Sequence, residues 1–209
     1  MGSIYKLSDQ VLTKIDKSID AVFVEIGSDR GEGSTSYFST LAKQFNQKLI
    51  TVDVDKNVSF RLITQTPTDI YDNIQFVTES GSSWAKDTFP TYNKKITCLY
   101  LDNFDYNWDV QNGGPQYMIE LIKEQQKEYL SRGIVMDNLN CQAEHLSQML
   151  SLITYMSDTS IIICDDTYRF NDGCFLGKCG AVIPFLITHG YIISREEDHG
   201  IILSRNNEL

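Results

Sequence analysis

Short apolar runs rich in Val, Ile, Leu and Phe recur along the chain and alternate with longer segments of helical periodicity. Strands of a parallel sheet covered on both faces read as continuous apolar runs, whereas surface helices repeat their apolar residues every three or four positions. The alternation therefore predicts an α/β fold, with a mostly parallel sheet and helices on both faces. The predicted strands are residues 21–26, 48–53, 74–78, 96–102, 160–165, 191–194 and 200–204.

The last two predicted strands are joined by a charged turn at 195–199, a spacing typical of an antiparallel hairpin at the edge of a sheet. The stretch 103–159, between the fourth and fifth strands, is too long for a single crossover helix. It predicts a helical insertion within one domain of 209 residues. Further helices are expected at about 8–19, 34–45 and 175–189, and the insertion is expected to hold loops at 103–115 and 132–140 and helices at 116–131 and 141–156.

Charge and cysteine content restrict the class of protein. The net charge of −10, from 18 Lys and Arg against 28 Asp and Glu, disfavours a nucleic-acid partner. No apolar run reaches the ~18–20 residues of a membrane helix, and the N-terminus lacks the apolar core of a signal peptide. The five cysteines form no Cys-x-x-Cys pair, which favours reduced thiols. We therefore expect a soluble, cytoplasmic protein with neither a nucleic acid nor a membrane as partner.

The first strand runs directly into a glycine-rich segment, Glu25–Ser34, after which a helix begins. Glycines at Gly27, Gly31 and Gly33 allow the backbone to turn tightly and to approach a ligand closely. A strand, a glycine loop and a helix in this order are typical of a nucleotide-cofactor site. Because glycine-rich turns are common, an ordinary tight turn is the alternative.

Two acidic residues favour one kind of cofactor. Asp53 ends the second strand, 20 residues after Gly33, where a carboxylate accepts hydrogen bonds from ribose hydroxyls. Glu25 lies two residues before Gly27. A carboxylate repels a pyrophosphate but attracts the ammonium group of a methionine moiety. This contrast favours S-adenosylmethionine over a dinucleotide.

Short-chain dehydrogenases share the same glycine spacing and are the rival interpretation. Those enzymes need a Tyr-x-x-x-Lys pair to move a proton. None of the eleven tyrosines in this chain has a lysine four residues later. An NAD(P)-dependent oxidoreductase is therefore disfavoured.

Five segments resemble the successive motifs of class I S-adenosylmethionine-dependent methyltransferases. The chain is most similar to the metal-dependent small-molecule O-methyltransferases of the catechol type and to the cephalosporin-hydroxylase and macrolide-sugar methyltransferase-like groups. The middle glycine of the first motif is Asp29 here. The resembling segments are 24–34, 49–53, 76–80, 99–102 and 163–167.

The resemblance implies a Rossmann-like fold and a set of cofactor contacts. Glu25 and Gly27 would face the methionine end of the cofactor and Asp53 its ribose, while Ser80 and Gly81 would flank the adenine. Ser80 is also suited to be the N-cap of a helix. The remaining positions expected to bind cofactor are Gly31, Ser34 and Asp102.

Three aspartates stand at the ends of the fourth and fifth strands: Asp102, Asp165 and Asp166. In a parallel sheet these ends lie side by side, and carboxylates so close need a cation. Oxygen ligands predict a hard ion, Mg²⁺ or Ca²⁺, and the resembling enzymes carry acids at the same positions. Aspartates that only cap a loop are the alternative.

The catalytic base is the weakest part of the pattern. The resembling enzymes often carry Lys or His three residues after the first metal-binding acid, where this chain has Asp105. We therefore predict Asp102 and Asp105 as catalytic residues, with His145 as a second candidate base. Lys178 is either a surface residue or a contact for an anionic group of the acceptor.

The sequence as a whole predicts an O-methyltransferase for a hydroxyl of a small molecule or saccharide, assisted by a divalent cation. A methyltransferase-like binding or scaffold subunit is the main alternative. A homo-oligomer is also possible, with the helices of residues 116–156 as an interface.

Overall fold

A computed structural model describes residues 4–7, 19–28, 33–55, 72–104, 116–131, 133–197 and 199–205. Apolar, β-branched runs form its central strands, which are buried on both faces, whereas the edge strands of the sheet are partly exposed. The strands are β1 (Ala21–Ile26), β2 (Lys48–Asp53), β3 (Ile74–Thr78), β4 (Lys95–Leu101), β5 (Met156–Asp165), β6 (Thr167–Arg169), β7 (Phe175–Gly177), β8 (Tyr191–Glu197) and β9 (Gly200–Arg205).

Seven of these strands form one sheet in the order β3-β2-β1-β4-β5-β9-β8, and β6 and β7 form a separate antiparallel pair. β9 runs antiparallel to both of its neighbours, whereas β1 to β5 are parallel. The predicted parallel sheet with an antiparallel edge hairpin is confirmed. Strand order reverses between β1 and β4, and ligands of open α/β sheets bind beyond the carboxyl ends of strands at such a point.

Helices cover both faces of the sheet. Phe38, Leu41 and Ala42 of α1 pack on the face that carries Phe23, and helices later in the chain pack on the face that carries Val24. No helix in the described ranges combines the length and apolar character needed to cross a membrane. The longer helices are α1 (Ser34–Gln44), α2 (Gln116–Ser131), α3 (Asn138–Leu152) and α4 (Val182–Thr188); shorter helical turns are Ile4–Leu7, Gly81–Ser83, Trp84–Thr88, Phe89–Tyr92 and Ile153–Tyr155.

The predicted helix at 175–189 is wrong in its first half. Residues Phe175–Gly177 form strand β7, and α4 begins only at Val182, which places Pro184 in the first helical turn, where proline is tolerated. Gly177 has a φ of +97°, and a Cβ there would lie 1.9 Å from the carbonyl oxygen of Asp166. The chain after β5 therefore folds back on itself instead of entering a helix. The predicted helix at 8–19 and most of the loop at 103–115 fall outside the described residues.

Candidate functional site

Glu25 lies on β1 at the switch point and is completely buried. Its Oε2 accepts hydrogen bonds from the Thr35 hydroxyl at 2.6 Å and the Thr51 hydroxyl at 2.7 Å. Its Oε1 has no hydrogen-bond partner among the described residues. Burial raises the pKa of Glu25 from 4.5 to about 7, although the Thr35 and Thr51 hydroxyls and the nearby Ser34 hydroxyl act in the opposite direction.

A buried carboxylate oxygen without a partner is costly, because it has lost its water and gained nothing in exchange. Two conditions remove that cost: a proton on the carboxyl, or a donor brought by a ligand. A cationic donor suits Glu25 best, since it also stabilises the ionised form.

Gly27, directly after β1, lies against the backbone directly after β4. Its φ is +96°, and a Cβ would lie 2.4 Å from the backbone nitrogen of Asn103 and 2.6 Å from the carbonyl carbon of Asp102. Its N–H donates to the carbonyl of Val52 at 2.9 Å, and the N–H of Asp102 donates to that of Ile26 at 2.9 Å. Only glycine permits this close approach of the two strand ends.

Asp53, at the end of β2, holds the loop that follows β1. Its Oδ2 accepts from the N–H of Ser28 at 3.0 Å, and its Oδ1 accepts from the N–H of Asp55 at 2.8 Å. Each carboxylate oxygen has two lone pairs, so these bonds are compatible with a further donor such as a ribose hydroxyl.

Ser80 and Gly81 follow β3. The Ser80 hydroxyl accepts from the N–H of Ser83 at 3.3 Å, which is the N-cap arrangement anticipated as its alternative role. A Cβ on Gly81 would lie 2.5 Å from Nε2 of Gln148 on α3. The Gln148 amide donates to Glu144 at 3.0 Å. The sequence did not predict Gln148 and Glu144 as site residues, because their contact with the end of β3 depends on how α3 packs.

The structure brings Asp102, Asp165 and Asp166 to one end of the sheet. The Tyr100 hydroxyl lies 2.5 Å from Oδ2 of Asp165 and 3.0 Å from Oδ2 of Asp102, so a phenol links two of the three carboxyl groups. Burial raises the pKa of both Asp102 and Asp165, and the charge of Asp102 raises that of Asp165 further. Asp166 has a φ of +43° and a side chain that is 45% exposed.

Lys178 enters the same cluster from the residue after β7. Its Nζ lies 2.6 Å from Oδ1 of Asp102, 3.1 Å from Oδ2 of Asp166 and 3.4 Å from the carbonyl oxygen of Asp102. Its side chain is only 4% exposed. The sequence did not assign Lys178 to this cluster, because the hairpin of β6 and β7 brings it back across the sheet end.

The predicted Mg²⁺ or Ca²⁺ site is not supported by this geometry. In the described part of the chain, no three His, Cys, Asp or Glu side chains are placed to hold a metal ion. The Lys178 ammonium lies between Asp102 and Asp166 instead, and its charge repels a second cation. The residues present therefore do not fit a divalent metal.

His145, the second candidate base, is fully buried on α3. Its Nδ1 lies 2.8 Å from the carbonyl oxygen of Cys141, which can only accept, so Nδ1 carries the proton. Burial lowers the pKa of His145 to about 4, and Nε2 has no partner among the described residues. His145 is therefore neutral near pH 7. Two other predicted site residues, Gly31 and Asp105, lie outside the described residues.

Solved structures share the fold over nearly the whole chain. SMU.1697c of Streptococcus mutans, described as a candidate methyltransferase and solved in complex with SAH, has a TM-score of 0.54 at 13% identity, covering 99% of each chain. The O-methyltransferase NovP gives 0.54 at 13% identity, over 98% of this chain and 81% of NovP. An rRNA methylase of Streptococcus thermophilus gives 0.53 at 9% identity, over 98% and 97% of the two chains.

No protein-family model and no curated protein sequence matches the chain. At these identities the shared property is the fold. Together with the strand order and the antiparallel β9, the matches establish a Rossmann-like class I methyltransferase fold.

Proposed function

We propose that the chain binds S-adenosylmethionine at the carboxyl ends of β1, β2 and β4 and transfers its methyl group to an acceptor. The observation that carries the proposal is the buried Oε1 of Glu25, which has no partner among the described residues and lies at the switch point of a methyltransferase-like sheet. The ammonium of the methionine moiety supplies the cationic donor that this oxygen lacks. A dinucleotide would bring a pyrophosphate, which the same carboxylate repels.

The other predicted residues have roles that follow from their places in the fold. Gly27 keeps the loop after β1 against β4, and Asp53 orients that loop while accepting from the ribose. Ser34 begins α1 beside Glu25. Gly31, which lies outside the described residues, stays a cofactor contact predicted from the sequence. Ser80, Gly81 and Asp102 complete the expected cofactor contacts from the ends of β3 and β4.

The cofactor supplies a methyl group on a positively charged sulfur, and the chain must position the acceptor in line with it. We place the acceptor among hydroxyl-bearing small molecules or saccharides. The net charge of −10 argues against an RNA substrate, and the aromatic rings of Phe104 and Tyr168 follow the two acidic strand ends. No step in this proposal passes through a metal ion.

Removal of the acceptor proton is assigned to Asp102 and Asp105, as predicted from the sequence. Asp102 already accepts from Lys178 and Tyr100, which weakens it as a base. That observation favours a second candidate function, a subunit that binds the cofactor without turnover.

Calorimetry with S-adenosylhomocysteine and, separately, with NADH tests the cofactor. We expect saturable binding of the former alone, weakened by Asp53→Ala. An absence of S-adenosylhomocysteine binding at high ligand concentration, or a preference for NADH, contradicts the proposal.

A transfer assay with radiolabelled S-adenosylmethionine and a panel of phenols, sugars and acids separates the two functions. Labelled product identifies a methyltransferase and its acceptor class. Cofactor binding with no labelled product across the panel identifies the non-catalytic subunit.

A further inference from the structure

Lys178 is the one lysine or arginine that is buried within the described residues. A buried ammonium is costly unless anionic groups surround it. Among the described residues, the Nζ of Lys178 faces carboxylate oxygens of Asp102 and Asp166 and the carbonyl oxygen of Asp102. Carboxylate and carbonyl oxygens are also the ligands that hard divalent ions take in proteins.

The backbone fixes Lys178 at this position independently of its side chain. Its N–H donates to the carbonyl of Asp166 at 3.1 Å, and the absence of a Cβ at Gly177 permits that approach. The backbone N–H and the side-chain ammonium of Lys178 thus both contact Asp166. A lysine that only happened to reach an acidic surface would have no such anchoring.

Another ion pair in the chain shows the difference. Lys94 pairs with Asp20, but the two side chains are 35% and 80% exposed. Solvent screens that pair, and removal of its lysine leaves a solvated carboxylate. Removal of the Lys178 ammonium instead leaves Asp102 and Asp166 without the cation that the described part of the chain pairs with them.

We infer that the Lys178 ammonium is a built-in substitute for a divalent cation: it neutralises Asp102 and Asp166 and keeps metal ions out of this end of the sheet. The inference concerns the same sheet edge as the proposed function, but it does not require the chain to bind S-adenosylmethionine. Lys178 acts here as a positioning residue, through the carboxylates it holds.

Binding of Mn²⁺, followed by the loss of its free-ion paramagnetic resonance signal, tests this directly. In the native chain we expect no saturable Mn²⁺ binding that depends on Asp102 up to about 1 mM, the range of weak protein sites. In Lys178→Ala we expect the affinity to rise by at least about tenfold. A double variant, Lys178→Ala with Asp165→Asn, is expected to lose most of that gain.

Three controls make the test decisive. Lys86→Ala removes an exposed lysine and is expected to bind Mn²⁺ like the native chain. Lys178→Met keeps most of the apolar stem and serves if the alanine variant does not fold, as judged by circular dichroism. Asp102→Asn in the native chain identifies any Mn²⁺ bound elsewhere on the acidic surface.

Two results overturn the inference. One is saturable Mn²⁺ binding to the native chain that disappears in Asp102→Asn, since the ammonium would then not exclude a metal. The other is a folded Lys178 variant that binds Mn²⁺ no better than the native chain. Neither result depends on cofactor affinity, so a failure here is distinguishable from a failure of the proposed function.

Discussion

The carboxyl ends of β1 and β4 are neighbours in the sheet, and each carries an acid that the fold partly or wholly removes from water. Glu25 on β1 accepts from neutral hydroxyls at one oxygen, and its other oxygen has no partner in the described part of the chain. Asp102 after β4 is met by the ammonium of Lys178, 76 residues later in the chain, and by the phenol of Tyr100 on β4 itself. Two adjacent carboxylates thus have opposite electrostatic surroundings.

The difference indicates which of the two acids expects a ligand. Asp102 receives its cation from Lys178, so its charge is compensated inside the molecule. Glu25 has no hydrogen bond to a cation among the described residues, and burial raises its pKa to about 7. A positively charged ligand group therefore has more to gain at β1 than at β4.

The largest expected effect comes from removing the ammonium that compensates the charge of Asp102. Lys178→Met removes the buried partner of an ion pair whose acid, Asp102, is 23% exposed, so the cost should exceed that of a surface pair and reach at most about 3–5 kcal/mol, the cost for a fully buried pair. Urea denaturation in the presence of EDTA measures the loss, with metal excluded so that it cannot replace the ammonium.

Lys94→Met is the matched control, because it breaks an exposed pair with Asp20 and is expected to cost at most about 1 kcal/mol. Equal losses for the two variants would show that the Lys178 pair is no stronger than a surface pair.

Burial of Glu25 predicts a pH dependence of stability. The pKa of Glu25 is higher in the folded chain, about 7, than the unfolded value of 4.5, so the folded chain holds this proton longer. The contribution of Glu25 to stability is therefore greatest below pH 4.5 and falls as the pH rises to about 7, by about 3 kcal/mol in total.

Glu25→Gln does not titrate at this position. We therefore expect the difference in the free energy of unfolding, native chain minus variant, to fall between pH 4.5 and about 7. Urea titrations at several pH values give the difference. A difference that stays constant or rises with pH would mean that Glu25 is ionised without cost.

Ser80 gives the smallest effect and separates its two roles. If Ser80 acts as an N-cap, Ser80→Ala costs about 1 kcal/mol of stability and Ser80→Gly only a few tenths. Thermal denaturation of both variants measures this. A loss of S-adenosylhomocysteine affinity in both variants, with little change in stability, would indicate an adenine contact instead.

Strands β1 and β2 were predictable because their buried apolar residues leave a direct mark on the sequence. β1, β2 and β3 have the bounds that the sequence predicted. Helix α3 also gave a clear pattern, although it begins at Asn138 because Asp137 caps it there, not at Cys141.

The partners of the strand-end acids were not predictable in the same way. Lys178 reaches Asp102 only because β6 and β7 pair and Gly177 fits against Asp166, and the resulting contact joins two residues 76 positions apart. The same hairpin replaced the first half of the predicted helix at 175–189. The strand-end aspartates lie together as the sequence predicted. The predicted metal ion is not supported, and the ammonium of Lys178 lies beside Asp102 and Asp166 instead.

The most direct test of the central claim compares two ligands and two proteins. S-adenosylhomocysteine carries the ammonium that Glu25 is expected to bind, whereas 5′-methylthioadenosine keeps the adenosine and lacks the amino acid. Calorimetry near pH 8 should show that the preference of the native chain for S-adenosylhomocysteine falls by about tenfold or more in Glu25→Gln, the value of one charge-assisted hydrogen bond. An unchanged preference in Glu25→Gln, or no binding of either ligand to the native chain, would contradict the account.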